Sequence, residues 1–187
     1  MSATTAIPRS AVASARERAA GWVVATCGLV VLVLRVEIGT AYAAPILLAI
    51  GVASMATPIA RGRRRLPTAA VLGIGAAAVV AAAATAGPSV PVPFGAATAA
   101  LVVGAAVAEE LLFRRLLYGL LEPLGAAAAV GLSALAFALV HVPLYGVAAF
   151  PVDLGAGLML SWQRWASGGW SAPAATHAFA NLLVILR

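Results

Sequence analysis

The sequence contains little charge for its length. Only 10% of its 187 residues are charged, whereas 63% are hydrophobic, and the mean hydropathy is +1.03. A soluble domain is about one quarter charged, and a globule of this size could not bury so many apolar side chains. The composition therefore excludes a soluble enzyme, a disordered chain and a soluble nucleic-acid-binding protein, and it predicts a polytopic membrane protein.

Lysine is absent and cysteine is almost absent. All twelve basic residues are arginines, and the one cysteine is Cys27. A single cysteine excludes an internal disulfide and a cysteine-based metal site. The bias toward arginine and alanine is typical of GC-rich coding and favours a bacterial cell membrane. We interpret the net charge of +6 as an orientation signal and expect no nucleic-acid partner.

Long apolar runs predict an all-α, polytopic transmembrane helix bundle. About 20 apolar residues cross the hydrocarbon core as a helix, because lipid offers no water to satisfy an open backbone. We expect about seven spans, within a range of six to eight, at about 22–36, 41–60, 68–86, 95–118, 124–142, 144–161 and 172–186. The predicted breaks are Gly39 with Thr40, Pro67, Gly87-Pro88-Ser89, Pro123, Pro143, and Gly168-Gly169 with Pro173.

The arginines predict a cytoplasmic N-terminus. With seven alternating spans, only Arg35 and Arg187 fall outside, while ten arginines fall inside: Arg9, Arg16, Arg18, Arg61, Arg63, Arg64, Arg65, Arg114, Arg115 and Arg164. The predicted parts are a cytoplasmic segment (1–21), N-terminal transmembrane helices (22–94) and a C-terminal core (95–187). A cleaved signal peptide is the alternative for the first apolar run, and we favour a retained anchor because Arg35 and Glu37 interrupt the pattern.

Glu109 and Glu110 stand out because they lie inside an apolar segment. A charged side chain near the bilayer centre costs about 3 kcal/mol or more, so it indicates function. Arg114 follows Glu110 by four residues, which places both on one helix face in the favourable order. Glu109 is turned about 100° around the helix and can face a different polar group.

The chain has two histidines, and both lie in or at apolar segments. Phe137 precedes His141 by four residues, and Asn181 follows His177 by four. Each pair therefore shares a helix face. A lone buried histidine is usually structural, but two histidines, two carboxylates, an Arg and an Asn within spans favour one shared polar site in the bundle.

These spacings form three ordered motifs: Glu109-Glu110-x-x-x-Arg114, Phe137-x-x-x-His141 and His177-x-x-x-Asn181. Together they resemble the signature of the CAAX protease and bacteriocin-processing family of intramembrane endopeptidases, which includes the type II CAAX prenyl endopeptidases. The resemblance covers roughly residues 95–186. It implies a protease core over residues 95–187 and a substrate that is a membrane-anchored protein or peptide in the lipid bilayer.

The resemblance also implies the roles of the motif residues. Glu109 would activate a water as general base, assisted by His141. His177 and Asn181 would stabilise the oxyanion that forms when this water attacks the scissile carbonyl.

The remaining motif residues would support this chemistry. Glu110 would position the water or protonate the leaving amine, with Arg114 as its counter-ion. Phe137 would form part of the wall of the substrate pocket.

Three alternatives stay open at this level. Glu109, His141 and His177 could hold zinc, although a metal-free glutamic mechanism is favoured because no His-Glu-x-x-His pair is present. The chain could instead be a non-catalytic binding or immunity protein of the same fold. A transporter or proton-relay protein is the third possibility, but no inverted repeat supports it.

The positions of the two histidines do not fit the simple topology. Strict alternation puts His141 near the outer end of its span and His177 near the inner end of its own. One shared site therefore requires the fifth and sixth segments to be tilted, short or partly re-entrant. Asp153, in the sixth segment, belongs to no motif.

Overall fold

The computed structural model describes residues 14–85 and 95–186, and within these ranges it contains helices and no strands. The all-α prediction is confirmed. We number the helices α1 (Ala15–Ile38), α2 (Thr40–Ser54), α3 (Thr68–Thr85), α4 (Ala96–Leu124), α5 (Ala126–Tyr145), α6 (Phe150–Ser167) and α7 (Ser171–Ile185). Arg9, Arg187 and the predicted break at Gly87-Pro88-Ser89 lie outside the described residues.

Four of these helices are long and apolar enough to cross a membrane, namely α1, α3, α4 and α5. Two shorter apolar helices, Tyr42–Ser54 within α2 and α7, accompany them. Large apolar side chains such as Val30, Leu101 and Val184 are exposed, as lipid-facing residues of an integral membrane protein are. The count of seven spans stays a prediction, because α2 and α7 are shorter than these four helices and α6 is less apolar.

Helix α1 begins earlier than the predicted span, because a capping box starts it. The Ser14 Oγ accepts a bond from the Glu17 backbone N at 3.3 Å, and the Ser14 backbone N donates to Glu17 Oε2 at 2.7 Å. Part of the segment predicted as the cytoplasmic N-terminus is therefore helical. At its other end, α1 is joined to α2 by Gly39 alone, whose φ of +80° favours glycine.

Two prolines do not end helices where the sequence predicted breaks. Pro143 lies inside α5, which continues to Tyr145 and ends at Gly146, a residue with φ +79°. Proline removes one backbone donor, but the Gly146 backbone N still bonds to the Val142 carbonyl at 2.8 Å, so the last turn is retained. Pro173 likewise lies in the first turn of α7, where the missing N–H would have no helical partner.

Helix α2 is shorter than predicted and ends at Ser54 rather than near residue 60. Arg115 of α4 donates to the carbonyls that the helix end leaves open, those of Ser54, Met55 and Thr57. The following segment runs back to α6, where Arg65 donates to the Trp165 carbonyl at 2.9 Å. Thus α4 and α6 hold the connection between α2 and α3.

One stripe of α1 faces the rest of the molecule. Its buried residues are spaced alternately by four and three: Gly21, Ala25, Gly28, Leu32 and Arg35. The glycines bring α1 close to α4, since a Cβ at Gly28 would lie 2.7 Å from Leu112 Cδ1. This packing stripe ends at Arg35, the last residue of the set.

Helix α4 contains a π-helical segment, Leu111–Leu117, that starts directly after the two glutamates. A wider turn changes which backbone groups pair and often marks a functional site. The Phe113 carbonyl accepts a bond from Ser133 Oγ at 3.1 Å, and the Arg114 carbonyl accepts one from Arg164 Nε at 3.0 Å. Side chains of α5 and α6 therefore pin the segment.

Candidate active site

The two adjacent glutamates of α4 are both buried but face different helices. Glu109 is 7% exposed and Glu110 is fully buried. Consecutive residues of a helix point about 100° apart. Glu109 consequently meets side chains from α1 and α5, whereas Glu110 meets α7 and the next turn of its own helix.

The two carboxylate oxygens of Glu109 have different neighbours. Oε1 lies 3.2 Å from Arg35 Nη1 of α1, and both side chains are buried. Oε2 lies 3.7 Å from His141 Nε2 of α5, which is longer than a direct hydrogen bond. The carboxylate is thus held on one side by a cation and faces an imidazole on the other.

The orientation of His141 is fixed by its own helix. Its Nδ1 donates to the Phe137 carbonyl at 2.7 Å, because a carbonyl oxygen can only accept. In the neutral ring, Nε2 is then the lone-pair nitrogen, and it is the atom that faces Glu109. Tyr145, one turn further along α5, stacks on the imidazole with ring centroids 5.7 Å apart.

The two partners of Glu110, Arg114 and His177, contact the same carboxylate oxygen. Arg114 Nη1 lies 3.2 Å from Oε1, as the four-residue spacing predicts, and His177 Nδ1 lies 2.9 Å from the same atom. Oε2 is buried without a hydrogen-bond partner among the described residues. Arg114 is itself fully buried and donates from Nη2 to the Gly157 carbonyl at 3.1 Å.

Phe137 lies between the two halves of the site. Its ring centroid is 4.4 Å from that of His141 and 5.8 Å from that of His177. The Arg114 guanidinium carbon lies 4.5 Å from the same centroid, within cation–π range. The aromatic ring therefore separates the Glu109–His141 pair from the Glu110–His177 pair while contacting both.

Asn181 is attached to the backbone of α4. Its Nδ2 donates to the Val102 carbonyl at 3.3 Å. Val102 precedes Glu109 by about two turns, and Asn181 follows His177 by one, so α4 and α7 run antiparallel past each other. Asn181 therefore contacts α4 about two turns before the glutamates, away from the cluster that the other motif residues form.

The structure brings the glutamates of α4, His141 of α5 and His177 of α7 together, although the simple topology placed the histidines at opposite ends of their spans. Glu109 contacts His141 and Glu110 contacts His177, so each glutamate serves one histidine. Adjacent residues of α4 therefore join two helices that are separated along the chain by α6.

The sequence analysis missed two residues near Glu109 as members of the site, Arg35 and Tyr145, and it named Asp153 without assigning it a role. Arg35 was interpreted as an outside flank charge, but it is buried and paired with Glu109. Tyr145 repeats the four-residue spacing after His141, a signal that the motif pattern already contained. Asp153 has a buried Oδ2 without a hydrogen-bond partner among the described residues, and it lies near enough to Arg35 and Glu109 to interact with their charges.

The donor set considered for zinc is divided between two pairs. His141 is the neighbour of Glu109, whereas His177 binds Glu110 through Nδ1. Across residues 14–85 and 95–186, no group of three or more His, Cys, Asp or Glu side chains is close enough to hold a metal ion. The residues therefore do not fit a three-ligand zinc site as they stand.

A comparison with protein families matches residues 91–183 to the family described as type II CAAX prenyl endopeptidase Rce1-like. The matched range begins just before α4 and ends within α7, so it contains every motif residue of the site. No curated protein and no solved structure matches the chain significantly.

Proposed function

Because residues 91–183 belong to the Rce1-like family of type II CAAX prenyl endopeptidases, we propose that the chain is an intramembrane endopeptidase in which Glu109 activates the attacking water. The substrate is a membrane-associated protein or peptide. The observation that carries the proposal is the buried pair formed by Glu109 Oε2 and His141 Nε2, which are 3.7 Å apart. An ionised carboxylate and a neutral imidazole nitrogen are both acceptors, so one water can donate to both.

The first chemical step is addition of this water to the scissile carbonyl. The water oxygen bonds to the carbonyl carbon, its proton passes to Glu109, and the carbonyl electrons become an oxyanion. Collapse of the tetrahedral intermediate breaks the carbon–nitrogen bond, and the proton is delivered to the leaving amine. Glu109 therefore ends the cycle as the carboxylate that began it.

His177 is the proposed donor to the oxyanion. Its Nδ1 is engaged by Glu110, so Nε2 can donate only when the ring is an imidazolium. The negative charge of Glu110 favours that form. Asn181 is the second proposed donor, and it would contribute by exchanging the Val102 carbonyl for the substrate oxygen.

Glu110 and Arg114 support the second half of the site. The unpartnered Oε2 of Glu110 is available to position the water or to carry a proton to the leaving amine. Arg114 balances the charge of Glu110, and Phe137 provides an apolar wall against which a substrate side chain can pack. The division of the donors into two pairs supports a mechanism without metal.

The decisive test compares Glu109→Gln with the wild-type protein in liposomes. Cleavage of a library of lipidated and unlipidated membrane peptides is followed by mass spectrometry. We expect Glu109→Gln to lower kcat by about 10²- to 10⁴-fold, the range for a general base. Glu37→Gln is the matched control, because Glu37 is an exposed carboxylate of α1.

Equal cleavage by Glu109→Gln and wild type would refute the assignment of the base. Absence of cleavage in both proteins, with capture of the same peptide by both, would favour the non-catalytic binding function instead.

A further inference from the structure

The guanidinium of Arg35 is buried at a cost in desolvation free energy, and the proposed roles of the motif residues do not include it. Arg35 is 7% exposed and lies on α1, outside the family-matched residues 91–183. Its Nε and Nη2 are buried without hydrogen-bond partners among the described residues. Unpaired buried donors oppose folding, so a residue that only stabilised the bundle would be better replaced by an apolar one.

Among the residues that the structure describes, Arg35 makes one hydrogen bond, and its acceptor is the proposed base. Its Nη1 lies 3.2 Å from Glu109 Oε1. The other oxygen, Oε2, is the one that faces His141 at 3.7 Å. Without the contact to Arg35, rotation about the last side-chain bond could turn the carboxylate plane, and neither oxygen would keep its position toward His141.

We propose that Arg35 is a positioning residue for Glu109: it occupies Oε1 and so holds Oε2 toward His141, where the water binds. This inference rests on the function proposed above. Arg35 does not touch substrate in this assignment; it acts through Glu109. A residue of the N-terminal helix thereby completes a site whose motifs all lie in the C-terminal half.

The position of Arg35 on α1 supports this role. It is the last residue of the packing stripe, so the close approach of α1 to α4 at Gly28 also sets how far the guanidinium reaches. Its contact with Glu109 uses a single nitrogen, although guanidinium groups usually bind carboxylates with two. A one-nitrogen contact leaves Oε2 free, whereas a two-nitrogen contact would occupy both oxygens.

The test uses three variants of the full chain in liposomes: Arg35→Gln, Arg35→Lys and the control Arg16→Gln, which removes an exposed arginine of α1. We expect Arg35→Gln to lower kcat by about 10- to 100-fold, the range for one lost hydrogen bond to a charged group, with KM unchanged within about twofold. Arg35→Lys should restore kcat to within about tenfold of wild type, because an ammonium can make a single contact. Arg16→Gln should have no effect.

The coupling to Glu109 distinguishes this inference from the proposed function. In the Glu109→Gln background, Arg35→Gln should cause no further loss, because there is no longer a carboxylate base to position. A wild-type kcat in folded Arg35→Gln, with Glu109→Gln inactive, would overturn the inference and leave the proposed function intact. If Arg35→Gln fails to fold, the Arg35→Lys variant provides the test. A folded Arg35→Lys protein whose kcat is as low as that of Glu109→Gln would contradict the proposed role of the positive charge at this position.

Discussion

At the scale of single residues, the site holds two buried carboxylates next to each other, and other side chains balance the charge of each. Glu109 and Glu110 are adjacent, yet each has its own cation and its own histidine. Arg35 belongs to α1, whereas Arg114 belongs to α4 itself. A buried charge without such a partner would cost several kcal/mol, so removing either arginine exposes its glutamate to that penalty.

Arg114 should be the residue whose loss most weakens the fold. Arg114→Ala leaves Glu110 buried with His177 alone and removes the bond to the Gly157 carbonyl. We expect the free energy of unfolding to fall by about 3–5 kcal/mol, as when one partner of a buried ion pair is deleted. Unfolding in detergent, followed by circular dichroism, measures this loss.

Arg63→Ala provides the comparison, because the Arg63 side chain is exposed. Unfolding of Arg114→Ala at the same denaturant concentration as Arg63→Ala would show that the ion pair does not stabilise the protein.

The sequence indicates residue pairs that are close along the chain better than pairs that are distant. The Glu110–Arg114 pair and the common face of Phe137 and His141 follow from helix geometry alone. The Arg35–Glu109 pair could not be found in this way, because 74 positions separate the two residues and only the packing of α1 on α4 joins them.

At the scale of helices, the π-helical segment of α4 shapes the surroundings of the site. It begins after Glu110 and includes both Arg114, which points into the core, and Arg115, which reaches the end of α2. Two consecutive arginines of this segment thus bind different helices, α6 and α2. Its sequence, Leu111 to Leu117, has no feature that distinguishes it from an ordinary helix, and the groups that satisfy its carbonyls come from α5 and α6.

The close packing of α1 on α4 should depend on glycine. In Gly28→Leu the added side chain would meet Leu112, since a Cβ alone already lies 2.7 Å from it. We expect overpacking to cost about 1–3 kcal/mol in unfolding free energy. Because α1 carries Arg35, peptidase activity should fall as well. Thermal unfolding and the liposome cleavage assay measure the two effects.

Gly73→Leu is the matched control, because a Cβ at Gly73 of α3 meets nothing within 4 Å. If Gly28→Leu unfolded at the temperature of Gly73→Leu and retained full activity, the close approach of α1 would have no functional role.

Helix positions were more predictable than helix ends. The segment predicted at 68–86 is α3 (Thr68–Thr85), and the one predicted at 172–186 is α7 (Ser171–Ile185). Pro143 was wrong as a break because the helical bond from the Gly146 backbone N to the Val142 carbonyl still forms beyond it. Helix α2 ends early at Ser54, where the distant Arg115 donates to the carbonyls of Ser54 and Met55. The first error comes from local chemistry and the second from tertiary contacts.

At the scale of the whole molecule, composition predicts the membrane environment and packing determines the rest. Scarce charge and high hydropathy suffice for an integral membrane bundle. The number of spans does not follow in the same way, because α6 carries Gln163 and Arg164, which are buried among other helices rather than exposed to lipid. Polar groups that a helix buries inside a bundle lower the mean hydropathy of its sequence, although its outer surface is more apolar.

Activity of the whole protein should be insensitive to metal removal. The carboxylates and histidines of the site form two separate pairs, so we expect cleavage in liposomes to stay within about twofold of its initial rate after treatment with a chelator. Added zinc should give no increase. Loss of activity on chelation and its recovery with zinc would show that the donors rearrange into a metal site.

The long-range pair of Arg35 and Glu109 also has a consequence for the order of events during synthesis. The ribosome makes α1 first, and at about 5–20 residues per second the 74 positions to Glu109 take about 4 to 15 s. Throughout that interval Arg35 has no Glu109 to pair with, and its long side chain is best accommodated at the lipid–water boundary. Helix α1 therefore reaches its final position only after α4 has been made. The contacts of the two glutamates with His141 and His177 form later still, because α5 and α7 follow α4 in the chain.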